Sequence, residues 1–130
     1  MYLDSNVFIY ASLVPDEKGA KARSILQKVA RGTEAVTSSL TLDEVMWVCV
    51  RHGARGKLRA IIEGIYGIKN LHIVPVSSVA PMQALELVEQ KVLDPRDAVH
   101  VAVMREHGIK EIISDDADFD KVPGLKRTAI

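Results

Sequence analysis

Short apolar runs alternating with longer stretches of helical periodicity predict an α/β sandwich with a mainly parallel sheet. Three observations carry this expectation. Residues 1–4, 35–37, 71–76 and 111–114 are short and mostly apolar or β-branched. The stretches between them repeat apolar residues at i, i+3, i+4 and i+7, the stripe of an amphipathic helix. Polar or acidic residues stand where each strand would pass into a helix. A chain of 130 residues is long enough for one core, burying about two-thirds of the unfolded surface, so residues 1–130 are read as one domain.

Each element has its own justification. The first apolar run enters the polar turn Asp4-Ser5-Asn6, and Val7-Phe8-Ile9-Tyr10 then begins a helix. Over residues 16–31 the stripe is Ala22, Ile25, Leu26, Val29 and Ala30, and Gly32 ends it. Ala35-Val36-Thr37 is the second strand. Thr41-Leu42-Asp43-Glu44 matches a capping box, which opens a helix with Leu42, Val45, Met46 and Cys49 on one face and Gly53 as its stop. Trp47 and Met46 are read as core, or as a groove for a partner helix. Residues 55–66 carry Leu58, Ile61, Ile62, Ile65 and Tyr66 on the next stripe, with Arg51, His52, Arg55, Lys57 and Arg59 gathered before and along it. After the strand at 71–76, residues 81–92 return to helical spacing through Met82, Leu85, Val88 and Val92. Asp94-Pro95 opens a helix with Asp97 in its first turn, and His107-Gly108 turns the chain into the strand at 111–114. Beyond it lie Asp115, Asp116 and Asp118, the turn Val122-Pro123-Gly124, and an edge strand over 125–130.

Composition narrows the function classes. Seventeen basic and seventeen acidic residues cancel, so nucleic-acid binding would have to come from local patches or from a bound cation. The lone Cys49 forms no internal disulfide, no tract is long enough to span a membrane, and no charged leader precedes the first apolar residues. A cytoplasmic location is expected. Phosphate-binding loops of the G-x-x-x-x-G-K-[ST] and G-x-G-x-x-G types and the G-x-S-x-G nucleophile elbow are absent.

Acidic residues recur at equivalent architectural places: Asp4 after the first strand, Glu44 after the second, Asp97 at a helix start, and Asp116 and Asp118 after the strand at 111–114. Parallel strands expose their carboxyl ends on one edge, where these acids could converge. Four carboxylates within about 5 Å would cost on the order of 3 kcal/mol per pair at an effective dielectric near 20. Such a pocket must protonate or hold a cation, and oxygen donors without a Cys or a His pair select Mg²⁺ or Mn²⁺ over zinc. The ion would activate water and neutralise a phosphodiester's charge, making hydrolysis the natural reaction. Structural readings stand beside this one: Glu44 as a capping-box residue, Asp97 answering a helix dipole, Asp116 and Asp118 as turn residues, Asp4 as a cap. Concurrence favours the site, since caps accept Ser, Thr or Asn equally.

The segments LDSNVFIY, SSLTLDEV, LDPRDAVHVAVMREHGI and IISDDADFDKVPGLKR, in this order and spacing, resemble PIN-domain ribonucleases, in particular the short VapC toxins of toxin–antitoxin pairs. The resemblance covers almost the whole chain. It implies a three-layer α/β/α sandwich, a Mg²⁺ or Mn²⁺ ion, and endonucleolytic cleavage of RNA. It carries the family's four acids onto Asp4, Glu44, Asp97 and Asp116. Asp4, Asp97 and Asp116 are then the metal ligands, while Glu44 orients the attacking water or binds a second ion. Asn6, Ser114 and Asp118 support the ligands from behind, and Asp115 adjoins the motif as an alternative to Asp116. Arg51, Arg55, Lys57 and Arg59, with His52, are candidate RNA contacts. His100, one turn beyond Asp97, is read as a packed or hydrogen-bonded helix residue. A second copy of the chain and a small antitoxin are the implied partners. The alternatives are an RNA-processing PIN nuclease without an antitoxin, and a non-catalytic PIN-like module that binds RNA or protein. An aspartyl phosphatase is disfavoured because Asp4-Ser5-Asn6 lacks the second Asp of that design.

Overall fold

A computed structural model describes residues 1–130. Its element order is β1 (Tyr2–Leu3), α1 (Ser5–Leu13), α2 (Glu17–Ala30), β2 (Ala35–Ser38), α3 (Ser39–Arg51), α4 (Leu58–Tyr66), β3 (Leu71–Val74), α5 (Ala80–Glu89), α6 (Pro95–Glu106), β4 (Glu111–Ile113) and β5 (Lys126–Thr128). The strands form one sheet in the order β3-β2-β1-β4-β5, and every neighbouring pair is parallel. The sandwich expected from the sequence is therefore present, with a sheet that is wholly parallel.

Strand periodicity divides the interior into two cores. Tyr2 and Ile112 point to one face, where α5 and α6 contribute Ala84, Leu87, Val101 and Met104. Leu3 and Ala35 point to the other, where Phe8, Val29, Val45, Cys49 and Ile65 come from α1 to α4. Side chains alternate across a strand, so adjacent residues of the two-residue β1 anchor opposite layers. The chain winds outward from β1 to β2 and β3, then returns to β4 and β5 on the other side. β1 and β4 thus flank the point where strand order reverses, and a crevice opens there beyond their carboxyl ends.

Several boundaries differ from the sequence reading. α3 opens at Ser39, with Ser38 as its N-cap accepting a bond from the Thr41 amide. The expected capping box at Thr41 is not formed, because Ser38 caps three residues earlier; Thr41 is buried in the first turn and Glu44 is free of capping. The helix over 55–66 is split, a 3-10 turn at Arg55–Lys57 preceding α4. α5 stops at Glu89, three residues short of Val92, as Lys91 takes a φ of 55°. Met46 and Trp47 lie outside the core on the outer face of α3, with Trp47 52% exposed, and Tyr66 is exposed too.

The α1–α2 corner imposes the tightest packing constraint. A Cβ on Gly19, in the first turn of α2, would sit 1.8 Å from the Val14 carbonyl oxygen. Backbone on both sides must shift to admit it. Helix propensity alone favours Ala over Gly by about 1 kcal/mol. Gly19→Ala is nonetheless expected to destabilise by about 1–3 kcal/mol in urea unfolding, because overpacking outweighs propensity; a gain in stability would show that the corner yields freely.

Candidate active site

The crevice is built around Asp4. As N-cap of α1 it is 6% exposed, and its Oδ1 accepts the Ser5 amide at 2.6 Å. Its Oδ2 accepts Asn6 Nδ2 at 2.8 Å and the Ser114 hydroxyl at 2.5 Å. Burial raises its pKa, and the Ser114 bond is the largest opposing influence. Ser114, fully buried just past β4, also accepts Asn6 Nδ2 and the Asp116 amide. One hydroxyl therefore links the ends of β1 and β4 and sets where the chain turns towards Asp116.

Asp97 occupies the first turn of α6, as expected. Burial first, then the negative charges of Asp116 and Asp4, push its pKa up to about 6. Asp116 caps the 3-10 turn at Ala117–Lys121, its Oδ1 accepting the Asp118 amide at 2.8 Å. Glu44 reaches the crevice from α3 with its side chain 12% exposed, Oε2 lying 3.0 Å from His100 Nε2 and Oε1 3.5 Å from Arg96 Nε. One donor atom from each of Asp4, Glu44 and His100 lies within 4.8 Å of the others.

The structure thus gathers Asp4, Glu44, Asp97 and Asp116, with Asn6 and Ser114 bonded directly to Asp4. Asp118 reaches the group only through its backbone amide, since its carboxylate pairs with Lys121 at 2.6 Å. Asp115 turns elsewhere: burial would raise its pKa, but Lys18 and the Ile130 amide hold it below the usual range. Arg51, Arg55, Lys57 and Arg59 stand at or beyond the far end of α3. Seven residues, or about 10 Å of helix, separate Glu44 from Arg51. There Arg51 covers the Trp47 ring and Arg59 pairs with Glu63.

Three residues in the crevice escaped the sequence reading as site groups: Tyr2, Arg96 and, in its contact with Glu44, His100. Signals for them existed. Strand alternation puts Tyr2 on the same side as Asp4, and Arg96 lies four residues before His100 on α6, the spacing of helix neighbours.

Converging carboxylates, among which burial and like charge raise the pKa of Asp4 and Asp97, with no sulfur donor among them, suit a hard divalent cation. The donor chemistry therefore fits such an ion.

Comparison with known proteins identifies the family and the fold. The PIN domain family matches residues 1–125. Ribonuclease VapC13 of Mycobacterium tuberculosis is 30% identical over 129 residues, covering 98% of both chains. VapBC2 from Rickettsia felis, solved bound to a DNA fragment from its promoter, superposes with a TM-score of 0.75 at 17% identity, over 98% of this chain and 96% of that one. Mycobacterium tuberculosis VapC20, described as a sarcin-ricin loop cleaving toxin, gives a TM-score of 0.75 at 19% identity over 92% of each chain. The family match over residues 1–125 and the end-to-end similarity show that the chain belongs to the PIN-domain family, with VapC proteins as its relatives there.

Proposed function

We propose that this protein is a Mg²⁺- or Mn²⁺-dependent endoribonuclease acting as the toxin of a toxin–antitoxin pair. The observation that carries the reading is the uncompensated charge around Asp97, whose pKa of about 6 reflects burial beside Asp116 and Asp4. A bound cation relieves that repulsion. Its similarity to a VapC ribonuclease over 98% of its length supports RNA as the substrate.

Roles follow from positions. Asp4, Asp97 and Asp116 would hold the ion, which supplies water activation and charge neutralisation on the phosphodiester. Ser114 and Asn6 keep Asp4 from rotating, and the Asp118 amide does the same for Asp116. Glu44 faces the crevice and orients the attacking water. Arg96, half exposed beside Glu44, is a cation at the crevice mouth for the RNA backbone. Arg51, Arg55, Lys57 and Arg59 would meet RNA only where a strand continues along α3.

Exposed apolar side chains supply surfaces for the partners. Met46, Trp47 and Val50 on α3, and Val79, Met82 and Leu85 on or beside α5, remain accessible in the isolated chain. In our reading a second copy of the chain covers the patch at α5, and an antitoxin helix docks at the Met46 and Trp47 patch of α3. Met82 is 72% exposed, so Met82→Glu is expected to leave the fold intact while shifting sedimentation from dimer to monomer; an unchanged dimer would move the interface elsewhere.

The central test is cleavage of a mixed RNA pool. Mg²⁺ or Mn²⁺ should support cutting and chelator should stop it, with Asp97→Asn at least about 100-fold slower, because metal chemistry supplies several kcal/mol. Protein that binds metal yet cuts no RNA in the pool would count against the reading.

A second test uses stability. Burial first, then the neighbouring acids, raise the Asp97 pKa from the ordinary 3.8 to about 6 in the fold, so the folded chain holds this proton more tightly. The associated stability is complete below the lower value and lost as pH rises through about 6. In chelator, the wild type should unfold at higher urea near pH 5 than near pH 7.5, and Asp97→Asn should narrow the difference. Saturating Mg²⁺ should restore stability at the higher pH.

A further inference from the structure

His100 is 0% exposed, yet both of its ring nitrogens have polar partners. Nδ1 lies 2.8 Å from the Tyr2 hydroxyl and Nε2 lies 3.0 Å from Glu44 Oε2. The Tyr2 hydroxyl, equally buried, is also 2.7 Å from Ser38 Oγ and 3.3 Å from Thr41 Oγ1. A continuous chain of hydrogen bonds therefore runs from β2 through β1 and α6 to α3, and it ends on Glu44. From this geometry we infer that His100, itself held by Tyr2, is a positioning residue that keeps the Glu44 carboxylate aimed into the acidic crevice.

The physical case begins with Glu44 itself. Its side chain turns about three torsions, and its charge adds to the repulsion felt by Asp4 and Asp97. Left alone, such a carboxylate swings outward to water. Arg96 is half exposed and 3.5 Å from the nearer oxygen, which makes it a weak tether. His100 is the rigid one. A carboxylate oxygen accepts, so Nε2 donates to Glu44 Oε2, while Nδ1 contacts the Tyr2 hydroxyl, which itself donates to Ser38 Oγ. The ring is fixed by packing as well, with its centroid 5.7 Å from that of Tyr2 at an interplanar angle of 62°. A buried imidazole with unmet nitrogens would be costly, and here both costs are offset only when Tyr2 and Glu44 are in place. The Glu44 rotamer is thereby coupled to the centre of the sheet rather than to solvent.

This inference rests on the ribonuclease reading for its kinetic consequence but not for its structural one, and the two parts are tested separately. In RNA cleavage at saturating metal, His100→Leu is expected to lower kcat by about 10- to 100-fold, the range typical of groups that orient site residues, with KM little changed. His100→Gln, which keeps an N–H donor, should recover part of the loss. Tyr2→Phe removes a single hydroxyl while keeping the ring, and should lower kcat in the same manner by a smaller factor. In a Glu44→Gln background, His100→Leu should add little, since the two act through one contact. Wild-type kcat in both His100→Leu and Tyr2→Phe, or full additivity with Glu44→Gln, would overturn the inference.

The independent readout is the His100 ring N–H resonance of ¹⁵N-labelled protein. It should resist exchange and shift when Glu44 becomes Gln. If the wild type cuts no RNA, the ribonuclease reading falls and this resonance alone decides: a shift supports the tether, and an unshifted or freely exchanging signal refutes it.

Discussion

A negative charge placed in a protein interior has to be answered by hydrogen bonds or by opposite charge, and Asp4 is answered almost entirely by hydrogen bonds. The donors come from Ser5, Asn6 and Ser114, the last of them 110 residues away. This single carboxylate therefore specifies how the end of β1 meets the end of β4. The contact also satisfies the fold, because Ser114 accepts the amide of Asp116 and so directs the chain out of the sheet. The Asp4–Ser114 contact adds to a short ladder of two residue pairs and to the bonds from the Asp4 amide to the Ile113 carbonyl and from Asn6 to Ser114, which together keep the two strand ends in register.

The remaining acids divide according to whether a cation meets them. Asp115 lies against Lys18, Asp118 against Lys121 and Asp120 against Arg127; the first pair joins the start of α2 to the end of β4, and the other two are local to the turn before β5. Exposed pairs of this kind contribute little to stability. Asp97 belongs to a different class. Its charged neighbours include Asp116, Asp4 and Glu44, and the fold tolerates the repulsion because α6 is anchored elsewhere by Ala98, Val101, Ala102 and Met104 in a dry core. Local acidity alone does not separate the two classes, since Asp115 and Asp116 are adjacent in sequence and differ only in which way the strand end points them.

That distinction explains what was legible in the sequence. Strand and helix alternation is a periodic signal, and it located every strand and the helices of both layers. Asp4, Asp97 and Asp116 were readable as neighbours because each sits at a junction where the backbone fixes the side chain's direction, whereas Glu44 enters from the second turn of α3. The start of α3 was misread because Ser38 and Thr41 are both competent caps, and only the burial of Thr41 against Tyr2 decides between them. Met46 and Trp47 were ambiguous for a related reason: a helix stripe says which residues share a face, but not how wide a face the sheet covers. The basic residues formed a cluster in sequence, yet α3 carries them about two turns past Glu44. His100 looked like an ordinary core position, because its two partners are 56 and 98 residues away and no local pattern announces them.

The arrangement has a thermodynamic consequence that links site and fold. Groups that repel in the native state and separate on unfolding subtract from native stability, so the crevice is supported by the two cores rather than contributing to them. A ligand that binds only the native arrangement reverses the sign of this term. The most buried parts of the site, Asp4, Ser114, His100 and Tyr2, are also the parts whose hydrogen bonds are satisfied within the protein. Asp97 and Asp116 are only partly buried and lie nearer the surface. The floor of the crevice is largely satisfied by hydrogen bonds, with Asn6 Oδ1 left as a buried oxygen without a partner, while the mouth is electrostatically incomplete and can change its energy when a cation or a phosphate approaches.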